Sequence, residues 1–396
     1  MNDRVRVRSN YPLDHELGLD YFTTNSTGVG GKLRERIEDF IVNEIPKNVC
    51  LAEDGEYTHF NLEKENWETI SAVRAIARSL DVSYKRFGYA GNKDRRAVTT
   101  QRIAAWKIDQ EQLMNVKLDG IRLYDFIKSN SRISLGDSEG NSFRITIRNS
   151  ELRGQELTDS LKATTEQIET GGVPNYFGYQ RFGTVRPNTH LVGRELVKGN
   201  LEAAVMHYLC YPYATERPEC QKARSYLEET HDFDGALRIY PHRLTFERMM
   251  LDALRKNPKN FVGALRRLPK NVRILLVHAY QAYLFNRTLS TMIEREMITS
   301  DRQVPLFGFD TCLSEGAQGE LEKKILDDEN IVTKDFFIPP IPELSCKGYS
   351  RASILNVKPE LKMVSDEMVL VEFALPKGSY ATTALREFMK ADPLSY

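Results

Sequence analysis

A carboxylate set among cations is the first group in this chain whose surroundings suggest chemistry. Residues Tyr84 to Gln101 read YKRFGYAGNKDRRAVTTQ. From 81 to 107, seven basic residues (Lys85, Arg86, Lys93, Arg95, Arg96, Arg102, Lys107) face two acidic ones (Asp81, Asp94), a local charge of +5. Tyr84, Phe87 and Tyr89 are interleaved with them, and a basic, aromatic surface is the kind that meets phosphate and base together. Asp94 lies between Lys93 and Arg95-Arg96, and nearby cations favour the ionised form of a carboxylate. A negative charge inside a phosphate-binding patch weakens binding, which makes Asp94 a candidate catalytic group. The competing reading is a turn or helix-capping Asp after Gly91-Asn92, and residue types alone slightly favour it.

Other patterns carry less. Gly136-Asp137-Ser138-Glu139-Gly140 matches G-x-S-x-G, but a nucleophile elbow needs a helix after the serine. Here an alternating strand follows, so a hairpin turn is expected. Gly28-Val29-Gly30-Gly31-Lys32 lacks the earlier glycine of a phosphate loop, and Leu33 stands where Ser or Thr belongs. Asn92-Lys93-Asp94-Arg95 departs from a guanine-binding N-K-x-D at its last position. The seven histidines show no H-x-x-x-H or H-E-x-x-H spacing, so no metal site is expected.

Several elements must position these groups. Ile37–Pro46, Tyr57–Leu62, Ala97–Ile108 and Met368–Leu375 read as strands. Ser131–Leu135 and Phe143–Arg148 alternate around the turn cluster 136–140. Apolar residues at helical spacing predict helices over Thr69–Leu80 and Leu157–Thr170. After Gly171-Gly172-Val173-Pro174, a turn signal, the chain reads as mostly helical from Thr189 to Arg295, strongest over Ile274–Arg295. Val304–Pro342, broken by four prolines, reads as irregular. A helical block between mixed ends is an α+β pattern with an insertion, not a βαβ series.

With 396 residues the chain has room for two or three domains, and its 55 Lys+Arg balance 55 Asp+Glu. That neutrality excludes a polybasic protein but not a local basic face. The longest uncharged apolar stretch, Ile274 to Asn286, contains His278 and Gln281 and is too short to span a bilayer. The leading residues MNDRVRVRSNYPLDHELG lack an apolar run, so no secretory signal is expected. Cys50, Cys210, Cys220, Cys312 and Cys346 are odd in number and never C-x-x-C spaced. Free thiols in a cytoplasmic protein are the expectation.

GYAGNKDRRAVTTQ strongly resembles the active-site motif of the TruD family of tRNA pseudouridine synthases. Further stretches resemble that family's motifs in order: IEDFIVNEI (37–45), GNSFRITIRN (140–149), GVPNYFGYQRFG (172–183), HAYQAYLFNR (278–287) and PKGSYATTALREF (376–388). Together they span nearly the whole chain and are far more specific than any one of them. The resemblance implies an α+β fold: a pseudouridine-synthase-type catalytic domain with a mixed or antiparallel sheet, plus an inserted, largely helical TRUD domain. The expected boundaries are 1–172 and 353–396 for the catalytic domain and 173–352 for the insertion. Compared with bacterial members, the length implies an archaeal one.

The resemblance further implies conversion of uridine to pseudouridine, at position thirteen of tRNA, with no cofactor and no metal. Asp94 matches the catalytic aspartate, attacking ribose C1′ or abstracting a proton to give a glycal. Arg34 matches a basic residue of bacterial relatives and would be a fixed cation beside it. The alternative is a surface charge in the run Lys32, Arg34, Arg36. Phe143 matches the position that stacks on the target uracil; Phe40 and Asn141 match two other active-site positions. Tyr380 stands where many members have Phe. Apart from the resemblance, Phe40 and Phe143 read as inward strand residues and Asn141 as a turn residue. Lys93, Arg95, Arg96 and Arg181 are expected to contact RNA. So are Arg266, Arg267 and Lys270, from a +7 run (255–273) that contains no acid. Segment 315–330, at −4, is expected to face away from RNA. The expected partner is tRNA, with no membrane, no protein partner and a monomeric state. The alternatives are a synthase with other RNA targets, or a catalytically idle RNA-binding or chaperone protein on the same scaffold.

Overall fold

The computed structural model describes residues 6–49 and 51–396. Cys50 lies outside them; of the other cysteines, Cys210, Cys220 and Cys346 are buried free thiols and Cys312 is exposed. The chain divides into two compact units. One holds Thr23–Val173 and Leu355–Tyr396; the other holds Pro174–Ile354 with the described residues up to Phe22. The later breaks fall within two residues of the expected 172 and 352. The first 22 residues, expected with the catalytic part, cluster instead with the helical one.

The first unit is built on one eight-stranded sheet. Its strands are β1 (Phe40–Pro46), β2 (Tyr57–Glu65), β3 (Phe87–Tyr89), β4 (Val98–Trp106), β5 (Ile121–Ser129), β6 (Ser138–Ile147), β7 (Glu360–Ser365) and β8 (Met368–Pro376). The spatial order is β7-β8-β6-β1-β4-β2-β5, with β3 also paired to β4. Only β1 and β4 run parallel; the other pairs are antiparallel. Helices α1 (Thr69–Ser79) and α2 (Gly154–Gly171) lie in this unit. Gly172, at φ 70°, closes α2 in the left-handed conformation that a side chain disfavours.

Alternation puts Phe40 and Val42 of β1, Phe143, Ile145 and Ile147 of β6, and Val369, Val371 and Phe373 of β8 into one core. Leu157, Leu161 and Ile168 of α2 fill it from outside the sheet. A second core joins Ala72, Val73, Ile76 and Ala77 of α1 to Phe60 and Leu62 of β2 and Phe87 of β3.

The other unit is mainly helical: α3 (Thr189–Val197), α4 (Leu201–Leu209), α5 (Pro218–Thr230), α6 (Phe233–Ile239), α7 (Thr245–Lys256), α8 (Phe261–Leu265), α9 (Lys270–Glu294) and α10 (Gly316–Asp328). Apolar side chains all round α9, from Leu276 to Ile293, are buried. No helix among the described residues is long and apolar enough to cross a membrane.

Three local expectations change. Residues 131–135 form no strand; the segment is a loop pinned by His59 Nε2 to the Ser131 carbonyl (2.7 Å) and by Gly136 N–H to the Ala90 carbonyl (2.8 Å). A turn does form there, with Ser134 and Asp137 bonded to each other, but it leads into β6 rather than closing a hairpin. Within the stretch expected to be irregular lies α10, where Glu322 is fully buried and accepts from Ser314 and Gln318.

Candidate active site

Strands β3 and β4 are antiparallel with Phe87 opposite Ala105, so the chain between them, residues 90–97, forms a long return that carries Asp94. Three side chains pin it. Thr69, at the start of α1, accepts the Lys93 N–H at 2.9 Å and donates to Gln101 at 2.8 Å. Gln101 in turn donates to the Gly91 carbonyl at 3.0 Å. Lys64 of β2 donates to the Asp94 carbonyl at 2.8 Å and the Trp67 carbonyl at 2.6 Å. This loop is held by its main chain, which leaves the Asp94 side chain outward and half exposed, at 49%.

Arg34 meets that carboxylate, with Nη2 2.6 Å from Oδ2. The arginine backbone is left-handed, at φ 56°, a conformation uncommon outside glycine. Its guanidinium lies 4.0 Å from the centre of the Phe40 ring, a cation–π contact. Phe40 packs edge-on to Phe143, with centroids 6.5 Å apart, and Phe143 stacks on Phe373 at 5.5 Å. Both Phe40 and Phe143 are buried, so the inward strand position that alternation suggests is where they sit. Arg34 is the cation of the pair, not a free surface charge.

Lys93 serves the interior. Its ammonium pairs with Glu44 at 2.8 Å and donates to Asn141 Oδ1 at 2.7 Å, while Glu44 is only 1% exposed. The expectation of an RNA contact from Lys93 therefore meets an ammonium already engaged by two partners. Asn141 is no turn residue: it lies in β6, opposite Glu44 of β1 on one side and Leu375 of β8 on the other. Gly140 beside it is required, because a Cβ there would come within 2.3 Å of the Leu375 carbonyl oxygen. Sequence reasoning missed Glu44, Lys64, Thr69, Gln101 and Phe373. For Lys64 there was a signal: Phe60, Leu62 and Lys64 alternate on one strand face.

Arg95 and Arg96 are exposed and line a hollow with Glu35, Arg36, Ile37, Glu38 and Asn66. Tyr380 occupies the N-cap of a helix over Ala381–Met389, here α11, which follows β8. The remaining candidates belong to the helical unit. Arg181 lies 5.4 Å from the Phe177 ring. Arg266, Arg267 and Lys270 are exposed between α8 and the start of α9. Their run is less uncompensated than its sequence suggests. Arg255 and Lys256 pair with Asp252, Arg273 pairs with Glu343 at 2.6 Å, and Arg266 is 3.7 Å from Glu343.

An α+β fold of this kind has been solved. A TruD crystal structure from Methanosarcina mazei matches 98% of this chain and 100% of its own, at 37% identity and a TM-score of 0.83. That places the chain in the fold class of the pseudouridine synthases. The family described as "tRNA pseudouridine synthase D (TruD)" matches residues 16–304 and 300–388. A protein of Methanosarcina mazei named "Probable tRNA pseudouridine synthase D" is 38% identical over 96% of this chain and 98% of its own length. One of the same name from Methanopyrus kandleri is 40% identical over 85% and 86%. The chain belongs to the tRNA pseudouridine synthase D family.

Proposed function

We propose that this protein is a tRNA pseudouridine synthase acting on the uridine at position thirteen, with Asp94 as its catalytic carboxylate. The observation that carries the reading is the Asp94–Arg34 pair, half open to solvent and bordered by the Phe40 ring. In the reaction the N1–C1′ bond breaks, the uracil turns and a C5–C1′ bond forms. The proton on C5 leaves and N1 gains one, so nothing is oxidised or reduced. Asp94 attacks C1′ or removes a ribose proton, and either role needs a carboxylate held in one orientation. Arg34 does the holding. Asn141 and Lys93 supply polar groups within the same unit, and Lys93 is kept in place by Glu44. Arg95 and Arg96, and in the helical unit Arg181, Arg266, Arg267 and Lys270, supply phosphate contacts. The sheet-based unit thus carries the catalytic groups and part of the phosphate grip, and the helical unit supplies the rest of that grip.

The test is pseudouridine formation on unmodified tRNA, with the product position mapped. Asp94→Ala is expected to lose roughly a thousandfold or more in turnover while tRNA affinity is largely kept. Wild-type activity in the variant rejects the mechanism. Tight binding without turnover in the native protein rejects the enzyme itself, and a product at another position rejects the target.

A further inference from the structure

We infer that Lys64 is a positioning residue of the reaction: it clamps the main chain at Asp94 and thereby fixes where the catalytic carboxylate points. This rests on the reading of Asp94 given above.

Lys64 is fully buried, on the same face of β2 as Phe60 and Leu62. A buried ammonium is normally met by a carboxylate. Among the described residues Lys64 forms no ion pair; its Nζ instead meets three carbonyl oxygens, of Trp67 at 2.6 Å, Asp94 at 2.8 Å and Lys93 at 3.4 Å. An ammonium has three donors, so the group is used up holding backbone. A packed Met or Leu in its place would suit the apolar core better, and replacing buried charge by apolar bulk is often neutral or stabilising.

The other pins act elsewhere. Thr69 takes the Lys93 N–H and Gln101 the Gly91 carbonyl, both before Asp94. Lys64 alone among the three reaches the carbonyl of Asp94 itself. One cation, Arg34, thus holds the carboxylate end of this residue, and another holds its backbone end.

The charged form is poised. Burial pushes the Lys64 ammonium down to about 8, against an opposing pull from Asp94; Lys93 lowers it further and Glu68 raises it. The residues facing Lys64 across the neighbouring strands, Thr99 and Ile121, do not titrate. Above about pH 8 the amine loses one donor and the clamp one bond. Because the folded value lies below that of an exposed lysine, the unfolded chain binds more protons between about pH 8 and 10.5. The contribution of Lys64 to fold stability therefore rises across that window, while turnover is expected to fall.

The experiment measures kcat and KM on tRNA from about pH 6 to 9.5 for the native protein, Lys64→Met, Lys64→Arg and Asp94→Ala. Expected are a native kcat that declines above about pH 8, and a Lys64→Met kcat down about 10- to 100-fold with no alkaline decline. KM should move less than about threefold and the Tm should hold or rise. Lys64→Arg should recover part of the rate and carry the decline to higher pH. A Lys64→Met protein with native kcat, or one whose loss lies wholly in KM, overturns the inference. An active Asp94→Ala protein, in contrast, removes the reading of Asp94; an inactive one beside a fully active Lys64→Met removes only the role of Lys64.

Discussion

Asp94 and Arg34 come from segments sixty residues apart, and their 2.6 Å contact is made at the open edge of the unit rather than in its core. At 18% exposure Arg34 is the better-buried partner, and its contact with Phe40 limits the directions it can take. Removing it therefore changes where the carboxylate rests more than whether RNA binds. Arg34→Ala should lower kcat by about one to two orders of magnitude, the range for a hydrogen bond to a charged group, with a smaller change in KM. Arg34→Lys should recover only part, since an ammonium lacks the planar fork. Equal losses in kcat and tRNA affinity would show that Arg34 binds rather than orients. Asp94 stood out in the sequence as a lone acid among cations, but residue types alone slightly favoured a capping Asp, and only the motif resemblance made it the candidate. Glu44 was not legible, because only the sheet order brings this strand residue next to the loop, whereas Lys64 left one mark, a charge on the apolar face of Phe60 and Leu62. The internal partners of Lys93 were hidden for the same reason: Glu44 and Asn141 lie on strands remote from it in sequence.

Elements with a clean period were read nearly to their ends, as α1 and β8 show, while α9 already begins at Lys270 and β1 only at Phe40, after a 3-10 turn over Ile37–Asp39. The failures have local causes. Strand β5 was unseen because its alternation breaks at Asp125, left-handed at φ 58°, where two residues face one on β2; a bulge switches the inward face midway. Helix α10 was masked by Pro305, Pro339, Pro340 and Pro342 around it, although its Ala317, Gln318, Leu321, Lys323 and Lys324 are good helix formers; Ser314 and Gln318 then hold the buried Glu322. At α3 a buried ring gives a measurable prediction. His190 stacks on Tyr283 of α9 at 5.0 Å, and its Nδ1 has no hydrogen-bond partner. Burial, helped by Arg194 and His207, pushes this ring down to about 3. A histidine kept neutral in the fold gives stability that is intact above the unfolded value near pH 6.5 and lost as pH falls towards 3. Each unit of that difference is worth about 1.4 kcal/mol. His190→Phe keeps the aromatic contact and should flatten the fall in Tm between about pH 6 and 4. An unchanged acid profile would place the sensitive group elsewhere.

Over the whole molecule, 55 positive and 55 negative residues cancel, yet the charges are segregated along the chain. RNA affinity should accordingly depend on salt more steeply than a neutral protein suggests. Replacing Arg266, Arg267 and Lys270 together by Gln should reduce the slope of log K against log salt. The reduction should be about two rather than three, because Arg266 already lies near Glu343. An unchanged slope would exclude that patch from the RNA contact. The order of strands has a further consequence, for the moment of synthesis. Strand β6 receives one neighbour, β1, from chain already made, but its other neighbour, β8, ends at Pro376, beyond the helical unit. At typical translation speeds the ribosome needs roughly ten to fifty seconds to travel from the end of one to the end of the other. For that time the nascent sheet has a bare edge beside Asn141 and Phe143, open to pairing with another chain. A stalled or truncated nascent chain would then be an aggregation hazard before it was merely an inactive enzyme, and a chaperone that covers strand edges would matter most in that interval.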